Sequence, residues 1–144
     1  MTWRKRDRDR GSASVELAIL TPSVIAVLAL LFITGRTMLA KQSIDAAAFD
    51  AARTASLARD AVSAQTLARD AAVASLAAQS INCVTLAVVI DTDGFAIAVG
   101  DPANVTVNIQ CEVNYADVAL PGMPGTAILT AAFTSPLDRY RGRS

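Results

Sequence analysis

The feature that most constrains this chain is an apolar stretch of nineteen residues, from Leu17 to Gly35, without a single charged side chain. Thr21, Ser23 and Thr34 are its polar members, and Pro22 lies near its start. As an α-helix that rises about 1.5 Å per residue, the stretch nearly matches the roughly 30 Å of a bilayer's hydrocarbon core. The stretch therefore predicts a helix that spans a membrane.

The segment before this stretch is basic. Residues 1–11 hold five basic and two acidic side chains, which gives this leader a charge of +3. The whole chain balances thirteen Lys and Arg against thirteen Asp and Glu, so the remainder carries −3. Because positive charge favours the cytoplasmic side, we expect the N-terminus inside and the C-terminal part outside.

Two other interpretations of the apolar stretch stay open. A secretory signal peptide has a shorter apolar core and a small-residue cleavage site, and no Ala-x-Ala pattern stands out before Arg36. The second interpretation is a buried helix of a soluble protein. The basic segment that precedes the stretch, which is apolar on all sides, favours a membrane helix instead.

The composition excludes several classes of function. The chain has no His, which removes His-based metal sites and His-dependent triads. A net charge of zero argues against a nucleic-acid-binding protein, and no nucleotide-binding or nucleophile-elbow motif occurs. Asp91-Thr-Asp-Gly94 lacks the later ligands of a calcium loop. We therefore expect no enzyme activity, no metal and no cofactor.

One charged residue lies at the edge of the apolar stretch. The junction reads Gly11-Ser12-Ala-Ser-Val-Glu16, and Leu17 follows directly. A carboxylate at the edge of a membrane helix is costly, and an ionisable group there is a functional candidate. The alternative explanation is that the Glu16 carboxylate lies at the membrane–water interface or complements the positive N-terminal end of the helix.

A basic leader, then Gly, four residues, Glu and an apolar helix resembles the cleavage site of type IV prepilins. The resemblance implies that a prepilin peptidase cuts after Gly11 and that Ser12 becomes the new N-terminus. Glu16 would then be the fifth residue of the mature chain. In a filament its carboxylate would pair with the Ser12 amine of a neighbouring subunit and set the register, because an unpaired buried charge is expensive.

The wider sequence resembles the TadE-like proteins of the Tad (Flp) pilus assembly system. The stretches that carry this resemblance are Gly11-Ser-Ala-Ser-Val-Glu-Leu-Ala-Ile-Leu-Thr-Pro22, Ala51-Ala-Arg-Thr-Ala55, Val105-Thr-Val-Asn-Ile-Gln-Cys111, Leu120-Pro-Gly-Met-Pro-Gly125 and Asp138-Arg-Tyr-Arg-Gly142. It implies a structural minor pilin or pseudopilin. Its implied partners are the prepilin peptidase, the major pilin, other TadE-like or TadG-like minor pilins and the membrane assembly platform.

From Thr37 to Gln79 the chain has neither Gly nor Pro and is rich in Ala, which predicts a helical stem. Gly35 is a possible hinge, and a break near Ser56–Ser63 that gives two packed helices is the second choice. The expected apolar stripe comprises Leu39, Ile44, Ala47, Ala48, Ala51, Ala52, Ala55, Leu57, Ala58, Val62, Leu67, Ala71, Val73 and Leu76.

After Ser80 the pattern predicts β-structure. Val84–Ile90 and Phe95–Val99 read as a hairpin around the turn at residues 91–94. Residues 105–113 alternate strictly, which places Val105, Val107, Ile109, Cys111 and Val113 on one face. A loop at 121–125 and a last strand at 126–135 complete an antiparallel sheet of three or four strands.

Cys83 and Cys111 lie in this β-rich part of the chain. Outside the membrane the environment is oxidising, so a disulfide between them is expected. Two free buried thiols are the alternative.

The sequence therefore predicts an α+β, pilin-like fold, in which a long N-terminal helix packs on a small C-terminal antiparallel sheet. The expected segments are a cleaved leader (1–11), a transmembrane helix (12–35), an Ala-rich amphipathic stem (36–80) and an extracytoplasmic β domain with a basic tail (81–144). The expected location is the cell membrane, with a single pass, or a surface pilus. The alternative function is an uncleaved single-pass membrane protein whose external domain binds a ligand or stabilises a membrane complex.

Overall fold

The computed structural model describes residues 9–114, 125–138 and 140, with side-chain surroundings from residue 15 onward. The elements are α1 (Asp9–Ser56), α2 (Ala61–Ala78), β1 (Cys83–Asp91), a 3₁₀ turn (Asp93–Ala96), β2 (Asn104–Asn114) and β3 (Thr126–Pro136). The predicted α+β class, with a long N-terminal helix and an antiparallel sheet, is confirmed. The chain divides between residues 37 and 38 into two compact units.

The first unit carries the N-terminal part of α1. This helix runs without a break through Pro22 and Gly35, so neither residue ends it. Because Pro has no backbone N–H, the carbonyl of Ala18 loses its helical partner. Hydroxyl groups in the apolar stretch bond back to the preceding turn, as Thr21 Oγ1 does to the Leu17 carbonyl at 2.6 Å and Thr34 Oγ1 to the Leu30 carbonyl at 2.8 Å.

The second unit begins with the rest of α1, which ends at Ser56. The break between the helices falls at residues 57–60, so the second choice made from the sequence is correct. Asp60 caps α2: its Oδ1 accepts a hydrogen bond from the Ser63 N–H at 2.8 Å. This bond and a second one from the Ser63 hydroxyl lower the pKa of the Asp60 carboxyl. This cap favours the start of a new helix at this point, because it gives a hydrogen-bond partner to a backbone N–H that the first turn would otherwise leave unpaired.

The two helices are joined by side-chain hydrogen bonds. Ser75 Oγ donates to Asp50 Oδ2 at 2.8 Å, and Gln79 Nε2 donates to the Ser43 carbonyl at 3.3 Å. α2 ends where Ser80 adopts a positive φ of 56°, and the Ile81 N–H then bonds to the Leu76 carbonyl at 3.0 Å. This left-handed residue closes the helix in the usual C-terminal manner.

The expected apolar stripe is partly wrong. Five of its large side chains are exposed: Leu39, Leu57, Val62, Leu67 and Val73. The buried seam of α2 instead consists of Ala64, Ala68, Ala72 and Leu76. For the residues of α2 the reason is that the helix break resets the phase. On both helices, small side chains occupy the buried side because they let the helices approach each other closely.

The sheet is antiparallel with the order β1-β2-β3. The face predicted for β2 is confirmed, because Val105, Val107, Ile109, Cys111 and Val113 are all buried. They form one apolar core with the alanines of α1 and α2. Phe49 of α1 contacts Phe133 of β3 edge-to-face, with ring centroids 4.8 Å apart.

The hairpin predicted from Val84 to Val99 is wrong. Residues 93–96 form a 3₁₀ turn instead of a strand, and β1 pairs directly with β2. The turn starts where Asp91 Oδ1 accepts a hydrogen bond from the Asp93 N–H at 3.0 Å, a local bond that competes with an extended chain. Of the predicted loop at 121–125, residues 121–124 lie outside the described residues, as does most of the basic tail.

Residue 94 must be a glycine, because the backbone of the 3₁₀ turn approaches the backbone of β2 closely at this position. A Cβ atom at this position would lie 2.0 Å from the backbone oxygen of Asn104. We expect Gly94→Ala to lower the free energy of unfolding by about 2–3 kcal/mol, because backbone on both sides must shift. Chemical denaturation measures this change. Gly125→Ala is the control, since no atom of the described residues lies within 4 Å of a Cβ there. Equal losses in both variants would contradict the explanation.

Candidate processing and assembly site

The predicted processing site lies within the first turns of α1. Gly11 and Ser12 are helical, and residues 1–8 of the predicted leader lie outside the described residues. Ser12 and Glu16 are four residues apart, so the helix places them about one turn apart on the same side. This spacing follows from the backbone alone.

Glu16 is exposed and begins a long exposed apolar segment. Ten of the large apolar side chains after it are 53–68% exposed, as suits a helix that lies in lipid or packs later against other helices. These residues are Leu17, Ile19, Leu20, Val24, Ile25, Val27, Leu28, Leu30, Leu31 and Phe32. The helix from Val15 to Ser56 contains a segment long and apolar enough to cross a membrane. One such helix near the N-terminus fits a single-pass membrane protein.

The predicted cysteine pair is bonded in the structure. Cys83 and Cys111 form a disulfide, with Cα atoms 5.3 Å apart. The bond joins β1 to β2 next to a shift in their register between Cys83 and Thr85. It therefore holds the irregular end of β1 against the central strand.

Two open clefts on the surface of the described residues are further candidate sites. One, of about 420 Å³, is lined by residues of α1 and of all three strands, among them Lys41, Asp45 and Gln110. The other lies beside the start of α2 and the 3₁₀ turn and includes Arg59, Asp93 and Phe95. Because the chain has no His and both Cys are bonded to each other, neither cleft holds an imidazole or a free thiol. Among the described residues, no three metal-ligating side chains come together.

Sequence reasoning found the junction and the cysteine pair from local patterns. It did not identify which strand lies at the centre of the described sheet, because strand order depends on pairing between distant segments.

A comparison with known protein families agrees with the resemblance seen at the junction of residues 11–16. No curated protein and no solved structure matches the chain. The family described as TadE-like protein matches residues 11–53, which contain Gly11, Glu16 and the whole apolar stretch. This match agrees with the resemblance to TadE-like proteins that the sequence of the same segment indicated.

Proposed function

We propose that this chain is a structural minor pilin or pseudopilin of a Tad-type pilus or of its assembly machinery. The match to the TadE-like family implies a protein associated with the Tad pilus, and that family is generally structural rather than enzymatic. The observation that carries the finer proposal is the position of Glu16, five residues after Gly11 and at the start of an exposed apolar helix.

In the first stage the chain is a membrane protein. The basic leader stays in the cytoplasm, the apolar part of α1 crosses the bilayer, and residues 38–144 lie outside. Hydroxyl groups that bond back to the preceding helical turn suit this environment, because lipid offers them no other partner. A prepilin peptidase then cuts after Gly11 and leaves Ser12 as the N-terminus.

In the second stage the apolar helix leaves the lipid and packs against the helices of other subunits. Lipid and a helix bundle are both apolar, so the exposed leucines, isoleucines and valines suit either place. A single carboxylate does not suit a bundle unless it is paired. The Ser12 amine of a neighbouring subunit supplies the opposite charge, which makes one register between subunits more favourable than the others.

The external unit is held by the disulfide and by the alanine-rich core. It presents its surface to the partners that the family resemblance implies, which are the major pilin, other TadE-like or TadG-like minor pilins and the assembly platform.

Replacement of Glu16 tests this proposal. We expect Glu16→Ala and Glu16→Gln to leave membrane insertion intact and to remove most of the chain from the pilus or its assembly complex. The reason is that both variants lose the charge that pairs with the amine, and Gln keeps the shape of the side chain. Membrane fractionation and recovery of the chain with sheared pili or cross-linked complexes measure the two steps.

Glu112→Ala is the matched control, because Glu112 is the other glutamate of the chain and accepts a hydrogen bond from the Thr85 hydroxyl on the sheet surface. It should assemble like the natural chain. Normal assembly of Glu16→Gln would show that the charge has no role in register.

A further inference from the structure

The bond that the peptidase is proposed to cut lies inside a helix. α1 runs without a break from Asp9 to Ser56, so the peptide bond between Gly11 and Ser12 has helical backbone on both sides. In an α-helix the carbonyl of each residue accepts a hydrogen bond from the N–H four residues later. The Gly11 carbonyl, which a peptidase must polarise and attack, is therefore already engaged within α1.

A peptide bond in such a position is cut after the chain opens locally. Cleavage follows the equilibrium fraction of the open form when opening and closing are fast compared with the chemical step. Helices open and close within about a microsecond, whereas a typical enzyme turns over about ten times per second. The rate of cleavage after Gly11 should therefore follow the stability of the helix around this bond.

The residues around the bond are weak helix formers. Gly11 belongs to the residue type that is least favourable in a helix apart from proline, and serines stand at positions 12 and 14. Serine side chains also form hydrogen bonds with the nearby backbone in non-helical conformations, which lowers their preference for a helix. The sequence at the scissile bond therefore favours opening of the helix.

The surroundings limit how far along α1 this opening extends. The uncharged apolar stretch begins at Leu17, and a backbone that unwinds in lipid leaves its N–H and C=O groups without partners. Residues 9–16, which are the first two turns of α1, precede that stretch and include the charged residues Asp9, Arg10 and Glu16. The first two turns can therefore unwind at the membrane surface, whereas the helix beyond them stays closed.

We propose that unwinding of the first two turns of α1 is the step that admits the peptidase, and that Gly11, Ser12 and Ser14 set the rate of processing through their low helix propensity. This inference rests on the proposed function, because it concerns the regulation of the same cleavage. Ser12 and Ser14 act here through the backbone, as positioning residues. The stability of the first two turns then controls how fast inserted chains lose the leader.

Cleavage of the full chain in lipid vesicles by a purified prepilin peptidase tests the proposal. Alanine, serine and glycine are compared at positions 13 and 14, which requires the variants Ala13→Ser, Ala13→Gly, Ser14→Ala and Ser14→Gly. Adjacent residues of an extended, bound chain point to opposite sides, so side-chain contacts with the peptidase do not impose the same order at both positions. Mass spectrometry measures the initial rate at low substrate concentration.

We expect glycine to be cleaved fastest and alanine slowest at both positions. Ala13→Gly should be cleaved about fivefold faster than the natural chain and Ser14→Ala about twofold slower, in line with the helix propensities of these residues. Ala26→Gly is the matched control, because it makes the same substitution at an exposed position within the apolar part of α1. It should be cleaved at the natural rate.

Hydrogen exchange of the uncleaved chain, in vesicles without peptidase, measures the opening itself. The helical pattern pairs the N–H groups of residues 13–16 with the carbonyls of residues 9–12. These N–H groups should exchange faster in Ala13→Gly by about the same factor as its cleavage is accelerated. A change in the cleavage rate without a change in exchange would overturn the proposal.

The remaining outcomes separate this inference from the proposed function. Equal cleavage rates in all variants, or an effect at only one of the two positions, would overturn the opening step and leave cleavage after Gly11 in place. An effect of Ala26→Gly as large as that of Ala13→Gly would overturn the restriction to the first two turns. A natural chain that the peptidase does not cleave would overturn the proposed function instead.

Discussion

Replacing Cys83 and Cys111 together with alanine should lower the free energy of unfolding by about 3–4 kcal/mol. The two residues are 28 positions apart, and the disulfide restricts the unfolded chain over that length. In a unit whose core contains many alanines, this is a large part of the stability expected for a small domain. Denaturant unfolding of the full chain in detergent, followed by circular dichroism, measures the change.

The natural chain under reducing conditions is the control for this prediction. Cys111 is fully buried, so alanine substitution also removes some packing, whereas reduction keeps both sulfur atoms in place. Both samples should unfold at clearly lower denaturant than the oxidised natural chain. An unchanged unfolding midpoint in both would show that the bond does not stabilise the fold.

Ile44→Ala should cost about 2–5 kcal/mol, because it leaves a cavity in the core. Ile44 is fully buried and, with Ile109, is one of the two largest fully buried side chains among the described residues. Most of its buried neighbours on α1 are alanines with little freedom to fill the space. Leu39→Ala is the control on the same helix, since Leu39 is 65% exposed in the structure. The same denaturation experiment should show little change for it.

A loss of stability in Leu39→Ala as large as that in Ile44→Ala would contradict the burial assigned to α1. Both residues belong to the apolar stripe expected from the sequence, but only Ile44 is buried in the structure. The pair of variants therefore also tests whether Leu39 is exposed.

Much of the fold could be predicted because its signals are local. The strict alternation of residues 105–113 indicates which side chains of β2 are buried, and the absence of Gly and Pro from 37 to 79 indicates helix. The phase of burial in the alanine-rich helices could not be predicted in the same way. Close packing between helices selects small side chains for the seam, so Ala72 is buried while Val73 is exposed.

The wrong hairpin has a similar explanation. Phe95–Val99 is β-prone, but the bond between Asp91 and the Asp93 backbone and the close approach of Gly94 to Asn104 favour a tight turn. The second of these contacts joins residues ten positions apart and depends on the pairing of β1 with β2.

The candidate site could be predicted in part. Gly11 and Glu16 follow from a pattern of six residues beside an apolar helix, and the family match covers them. The position of β2 at the centre of the described sheet depends on strand order, which no local pattern determines.

The mature N-terminus distinguishes a cleaved pilin-class subunit from an uncleaved membrane protein. Mass spectrometry of the chain purified from native cells that contain a prepilin peptidase measures it. If the chain is a pilin-class subunit, we expect it to begin at Ser12, with residues 1–11 removed. An intact leader from Met1 to Gly11 in those cells would contradict it and would favour an uncleaved single-pass membrane protein.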